Sequence, residues 1–175
     1  MFRKLIRKLL RLLTKKEIKD RQYAIGMNST ISKGKDRHML FLDYDKEMNF
    51  NEVLNDCNEL CSFFNLSDFE VYSTGGGGHH TFWWYENNLP YSRIKLIIDY
   101  SRCDYMYKYI SRYYDHKTIR VSGKYRNKYG DLKYIGRFSG KRTPTKEERE
   151  LGELKKKEYT LLKSQNIFQD KVLKT

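Results

Sequence analysis

Two aspartates, Asp43 and Asp45, close an apolar run, and about thirty residues later comes Ser73-Thr74-Gly75-Gly76-Gly77-Gly78-His79-His80. Carboxylates two residues apart on a strand leave it on the same side, because strand side chains alternate with period two. Such a pair suits a hard divalent cation, which takes oxygen ligands. A run of glycines lets backbone N–H groups come close to a phosphate and form an anion-binding concavity. Together they suggest chemistry on a nucleotide.

The elements around these residues follow from local patterning. His38 to Tyr44 reads as a short apolar strand. Asn51 to Phe64 reads as a helix with Val53, Leu54, Cys57, Leu60, Cys61 and Phe64 on one stripe. Phe69 to Ser73 and Thr81 to Tyr85 are expected strands, with Gly75 to Gly78 breaking the chain between them. Helices are expected over Tyr91 to Ser101 and Tyr105 to Tyr114, the second capped by Asp104. Lys117 to Val121 and Leu132 to Phe138 read as strands either side of a basic loop containing Asn127 to Gly130. Interleaved strands and helices predict an α+β architecture, with helices against one sheet.

Three units are expected. Residues 1–25 hold a basic amphipathic helix over 2–20, with Phe2, Leu5, Ile6, Leu9, Leu10 and Leu13 on its apolar side, and a polar connection follows over 26–37. Residues 38–140 form the central domain. Residues 145–175 form a charged helical extension that opens with the capping-box pattern Thr145-Lys146-Glu147-Glu148; its few large apolar residues predict a surface position or a partner. The N-terminal helix is expected to pack or to meet a protein partner rather than a membrane.

The chain has 175 residues, 35 of them Lys or Arg against 22 Asp or Glu, and a formal charge of +13 that favours a polyanionic partner. Fifteen tyrosines, nine phenylalanines and two tryptophans lie interspersed with these cations, a composition on which bases stack while cations follow phosphates. Cys57, Cys61 and Cys103 show neither a C-x-x-C pair nor zinc spacing, so free buried thiols and a cytoplasmic location are expected. No apolar stretch is long enough to span a membrane, and Arg7, Lys8 and Arg11 interrupt anything resembling a secretory signal.

The order of motifs resembles the catalytic core of the archaeo-eukaryotic primase superfamily, the primase-polymerases. That family carries a hydrophobic-Asp-hydrophobic-Asp motif, here Leu42-Asp43-Tyr44-Asp45, and then a Ser-x-His motif with glycines before the histidine, here Ser73 with His80 or His79. A third acidic residue follows in the family; Asp104 is similar to it, with Asp99 as the alternative, and Thr118-Ile119-Arg120-Val121-Ser122-Gly123-Lys124 is similar to a later basic segment. The resemblance spans roughly residues 38–125. It implies a single primase-like, RRM-like domain with a mostly antiparallel sheet backed by helices. It also implies a nucleotidyltransferase that extends a primer or dinucleotide on a DNA template during replication. The compact size, without recognisable helicase or zinc modules, suggests a plasmid or virus setting. Mg²⁺ or Mn²⁺ would be held by Asp43, Asp45 and Asp104. Ser73, Gly77, Gly78, His80, Arg120 and Lys124 would hold the triphosphate. Single-stranded or primed DNA and nucleoside triphosphates are the implied partners, with a helicase or other replication protein beside them.

Two other functions share these features. Replication-initiator nicking endonucleases use a histidine pair on a metal and a helical Tyr-x-x-Lys, for which Tyr105-Met106-Tyr107-Lys108 offers Tyr105 or Tyr107 as the nucleophile. A basic nucleic-acid-binding module without catalysis would account for the charge and the tyrosines alone.

Overall fold

The computed structural model describes residues 24–31, 36–123 and 132–172. The amphipathic stretch over residues 2–20, the basic loop at 127–130 and Lys124 lie outside them. The fold is α+β, with antiparallel sheets backed by helices.

Four strands form the main sheet in the order β2-β4-β3-β6, where β2 is Leu40–Tyr44, β3 Phe69–Ser73, β4 His79–Trp83 and β6 Lys133–Phe138. All three pairings are antiparallel. The β3–β4 hairpin is therefore inserted so that β4, which carries both histidines, lies directly beside β2 and its aspartate. A separate two-stranded ribbon pairs β1 (Ala24–Asn28) with β5 (Thr118–Gly123) and packs against the C-terminal helix and β2.

Strand β1 takes in only the first three residues, 26–28, of the polar connection expected over 26–37. Its partner is some ninety residues away in sequence, and its register shifts between Ile25 and Gly26, so no clean alternation marks it. The strand expected from His38 begins at Leu40; His38 makes only isolated bridges, to Thr30 and Leu89.

Helix α1 (Phe50–Phe64) covers one sheet face, the face of Tyr44, Thr81 and Trp83. Its start is fixed by a capping box in which Asn49 accepts from the Asn51 and Glu52 amides while Glu52 returns a bond to the Asn49 amide. Val53, Cys57, Leu60, Cys61 and Phe64 are buried there, Trp83 Nε1 donates to Cys61 Sγ at 3.4 Å, and the Tyr44 hydroxyl donates to Asp56 at 2.8 Å. Helices α2 (Tyr91–Tyr100) and α3 (Tyr105–Ser111) follow, with Tyr91, Ile94, Ile97, Ile98 and Tyr107 turned inward.

The other sheet face is covered by the C-terminal helix α4 (Lys146–Val172). It was expected to stand on the surface or await a partner, yet it packs onto its own sheet. Tyr159 lies against Tyr72, Phe82 and Trp84, and Phe82 and Trp84 stack at 4.7 Å. Gly152 sits where a Cβ would come within 2.6 Å of the Tyr85 ring and 2.7 Å of the Trp84 carbonyl oxygen. Lys156 reaches the buried Glu70 carboxylate, which also accepts from the Tyr72 hydroxyl and Trp84 Nε1. A glycine, a tyrosine and a lysine make the contact, so an apolar stripe was never its signature.

Candidate active site

Asp43 and His80 are direct cross-strand partners on β2 and β4, and Asp43 Oδ1 lies 3.2 Å from His80 Nε2. Their row continues across the sheet through Tyr72 on β3 to Tyr134 on β6. The neighbouring row, Tyr44–His79–Ser73–Lys133, points to the α1 face. Parity thus divides the expected site. Asp43 and His80 share one face, whereas His79 and Ser73 share the other, where His79 meets the Phe50 ring at 6.1 Å.

The two members of the Asp43–His80 pair differ in access. His80 is 1% exposed, while the Asp43 side chain is 41% exposed. The histidine therefore stands behind the aspartate and fixes it from within. Its Nδ1 is buried with no hydrogen-bond partner. Asp45 lies one residue beyond the end of β2, open to solvent, and its Oδ1 accepts from the Lys46 amide at 2.8 Å.

Asp104 joins Asp43 through the backbone. The Asp104 amide donates to the Asp43 carbonyl at 2.8 Å, and the Asp104 carboxylate caps α3 by accepting from the Tyr107 amide at 2.6 Å. The Tyr107 hydroxyl then returns to β2, donating to the Phe41 carbonyl at 3.0 Å. Upstream, the Arg102 amide donates to the buried Asp56, which also holds Tyr44. The segment from 102 to 107 is in this way sewn along β2, and Asp104 is tied to the strand that carries Asp43. Asp99, the alternative, is on the surface at the end of α2, 3.6 Å from Arg112.

Lys117 completes this neighbourhood. It is 4% exposed, its Nζ donates to the Tyr107 carbonyl at 2.6 Å, and it lies over the Tyr107 ring at 3.6 Å. Burial pulls its pKa down to about 8, against the upward influence of Cys103, Asp43 and Asp104. A lysine at the head of a strand carries no signal in a chain with 35 Lys and Arg, so only tertiary structure reveals it.

The glycine run forms the β3–β4 turn. Thr74 and Gly78 close it: the Thr74 amide donates to the Gly78 carbonyl, the Gly77 amide to the Thr74 carbonyl, and the Gly78 amide to Thr74 Oγ1. The Gly77 and Gly78 amides are thus engaged within the turn. Gly77 adopts φ +91°, and a Cβ on Gly78 would stand 2.4 Å from the Tyr44 carbonyl oxygen. Both glycines are required by the backbone's own path, which seats the turn against the end of β2 next to Asp45 and Lys46. Arg120 lies on β5 opposite Gly26, in the ribbon rather than the main sheet.

The tyrosines proposed for strand nicking are differently placed. Tyr107 is buried, and that burial holds its hydroxyl well above the usual phenol range. Tyr105 is exposed, but His79 and His80 face opposite sides of the sheet and do not converge as a metal pair. Among the described residues no group of three or more His, Cys, Asp or Glu side chains is gathered closely enough to hold a metal by itself. No helix among them is long and apolar enough to cross a membrane. Comparison of the chain with protein-family models, with curated proteins and with solved structures finds no match.

Proposed function

We propose that this protein is a small nucleotidyltransferase of the primase-polymerase type, which adds nucleotides to a primer or dinucleotide on a DNA template. One observation carries the reading. The first aspartate and the histidine, 37 residues apart in sequence, meet on adjacent strands while the third acidic residue is hydrogen-bonded to that same aspartate's backbone.

With no three His, Cys, Asp or Glu side chains gathered together among the described residues, the site's donors would hold Mg²⁺ or Mn²⁺ only as an ion bound through one or two carboxylates that completes its shell with water and substrate phosphates. Asp43 and Asp45 offer exposed, hard oxygen donors, and Asp104 has a second carboxylate oxygen beyond the one that caps α3. When bound, the metal would stabilise charge on the attacking and leaving oxygens of phosphoryl transfer.

The chain's own residues have distinct tasks in this scheme. His80, buried on the same sheet face, holds Asp43 in one orientation. Lys117 places a cation in the same neighbourhood, its Nζ donating to the Tyr107 carbonyl at 2.6 Å. The Thr74–Gly78 turn, with Lys46 beside it, forms the rim where a triphosphate would enter. Arg120 and Lys124 are the further phosphate contacts proposed from the family pattern. In the reaction the primer 3′-hydroxyl attacks the α-phosphorus of the incoming nucleotide, the bond to the β-phosphate oxygen breaks, and pyrophosphate leaves. The hydroxyl proton passes to solvent or to a neighbouring carboxylate. A cytoplasmic location and partnership with a replication protein belong to the same proposal.

The test is nucleotide incorporation on primed and unprimed single-stranded DNA with Mg²⁺ or Mn²⁺. Synthesis by the wild type that vanishes in Asp43→Asn/Asp45→Asn, with the double variant still folded, supports the transferase. No synthesis by folded wild-type protein, with DNA binding equal in both, replaces the transferase with the non-catalytic binding module.

A further inference from the structure

Helix α3 presents two faces with different chemistry. Tyr107 and Ser111 are buried, and the Tyr107 hydroxyl reaches the Phe41 carbonyl on β2. Tyr105, Tyr109 and, just past the helix, Tyr113 recur every four residues on the outside, with exposures of 74%, 43% and 67%. Tyr105 and Tyr109 lie at 6.4 Å with planes 24° apart, and Tyr109 and Tyr113 at 5.0 Å, the Tyr113 hydroxyl donating to that of Tyr109. This ladder of rings begins one residue after Asp104.

Its surroundings carry both signs: Lys108 and Arg112 lie within the stretch 105–114, which Asp104 and the exposed Asp115 bound on either side. Lys108 Nζ is aimed at the carbonyls of Asp99 and Ser101, and Lys95 Nζ at the carbonyl of Arg112. Arg112 is exposed, with Asp99 3.6 Å away. Exposed rings beside Lys108 and Arg112 match what an unpaired nucleic-acid strand offers, since bases stack and phosphates follow positive charges. Paired bases in a duplex have no free faces to give. A second copy fits less well, because a two-fold contact would bring Lys108 and Arg112 against their own images.

We propose that the Tyr105–Tyr109–Tyr113 ladder is a stacking track for single-stranded nucleic acid, along which the strand runs toward Asp104 and Asp43. Binding at the track stands on this geometry; the strand's role as template rests on the transferase reading above.

The experiment measures binding of dye-labelled oligothymidine to the full chain by fluorescence anisotropy in EDTA, across a salt series. Tyr105→Ala/Tyr109→Ala/Tyr113→Ala is compared with the triple Phe variant and with Asp43→Asn, each checked for an unchanged thermal midpoint. The Ala variant should bind at least about tenfold more weakly, with the same salt dependence because its phosphate contacts remain. The Phe variant should restore affinity, and Asp43→Asn, which removes a negative charge at the end of the track, should not weaken binding. Wild-type affinity in the Ala variant overturns the proposal. So does a wild-type dimer that the Ala variant dissociates without any change in DNA binding, which would make the ladder a self-association surface. Because no metal and no synthesis are involved, failure here leaves the transferase reading untouched, and loss of synthesis there leaves this result standing.

Discussion

Asp104 has two roles that one pair of substitutions separates. Its carboxylate caps α3 by accepting from the Tyr107 amide at 2.6 Å, and in the proposed reaction its charge supports metal and phosphate. The backbone bond from Asp104 to the Asp43 carbonyl survives any replacement. Asparagine caps a helix about as well as aspartate, whereas alanine in place of a capping aspartate costs about 1 kcal/mol. In a chain of this size that corresponds to a loss of roughly 2–4 °C in thermal midpoint. Asp104→Asn should therefore melt close to the wild type, and Asp104→Ala a few degrees lower.

Activity should follow charge and not capping. If the carboxylate is worth about 2.7 kcal/mol to the transition state, either variant loses about a hundredfold in incorporation rate. The assay is primer extension with saturating Mn²⁺, beside thermal melts of the same preparations. Asp99→Asn is the control, since its contact to Arg112 is exposed on both sides and such pairs contribute about 0–1 kcal/mol. An Asp104→Asn variant with activity within about threefold of wild type would refute the assignment and leave Asp104 a cap. Loss of synthesis in Asp99→Asn instead would move the third acidic role to that residue.

Two further outcomes follow from the fold. Gly78→Ala drives a Cβ to 2.4 Å from the Tyr44 carbonyl oxygen and should cost about 1–3 kcal/mol, read as a lowered urea midpoint; unchanged stability would show that the turn is free to move off β2. Stability should also fall above pH 9. Burial pushes the Cys61 thiol up to about 11, the Cys103 thiol to about 12 and Cys57 higher still, so the folded chain keeps protons that the unfolded chain releases from about 9. Lys117 opposes this, because its folded value of about 8 means the unfolded chain holds one extra proton up to 10.5. Three thiols outweigh one lysine, and the buried hydroxyls of Tyr44, Tyr72, Tyr91 and Tyr107, likewise held above the usual phenol range, add to them, so stability declines by at least about 2–3 kcal/mol per pH unit between roughly pH 9.5 and 10.5. Stability that rises over that interval would contradict the burial of the thiols.

What the sequence made legible is what local pattern controls. Helix α1 and strands β2, β3 and β4 follow apolar periodicity, and they emerge within two residues of expectation. Strand β1 and the docking of α4 depend on partners distant in the chain: β5 for the first, and Trp84, Tyr85 and Glu70 for the second. The same division runs through the site. Asp43, Asp45 and the histidines were visible as types at a spacing, but which histidine meets the aspartate is decided by the length of one turn. Thr74 to Gly78 is a five-residue connection that sets Ser73 opposite His79 and Tyr72 opposite His80. One residue more would have moved Ser73 opposite His80 and reversed the faces. The glycines matter for this reason before any phosphate is considered: Gly77 supplies the positive φ and Gly78 the close approach that hold the turn to that length. The run that first suggested a phosphate cradle is thereby the device that fixes the register of β4 and puts His80 behind Asp43.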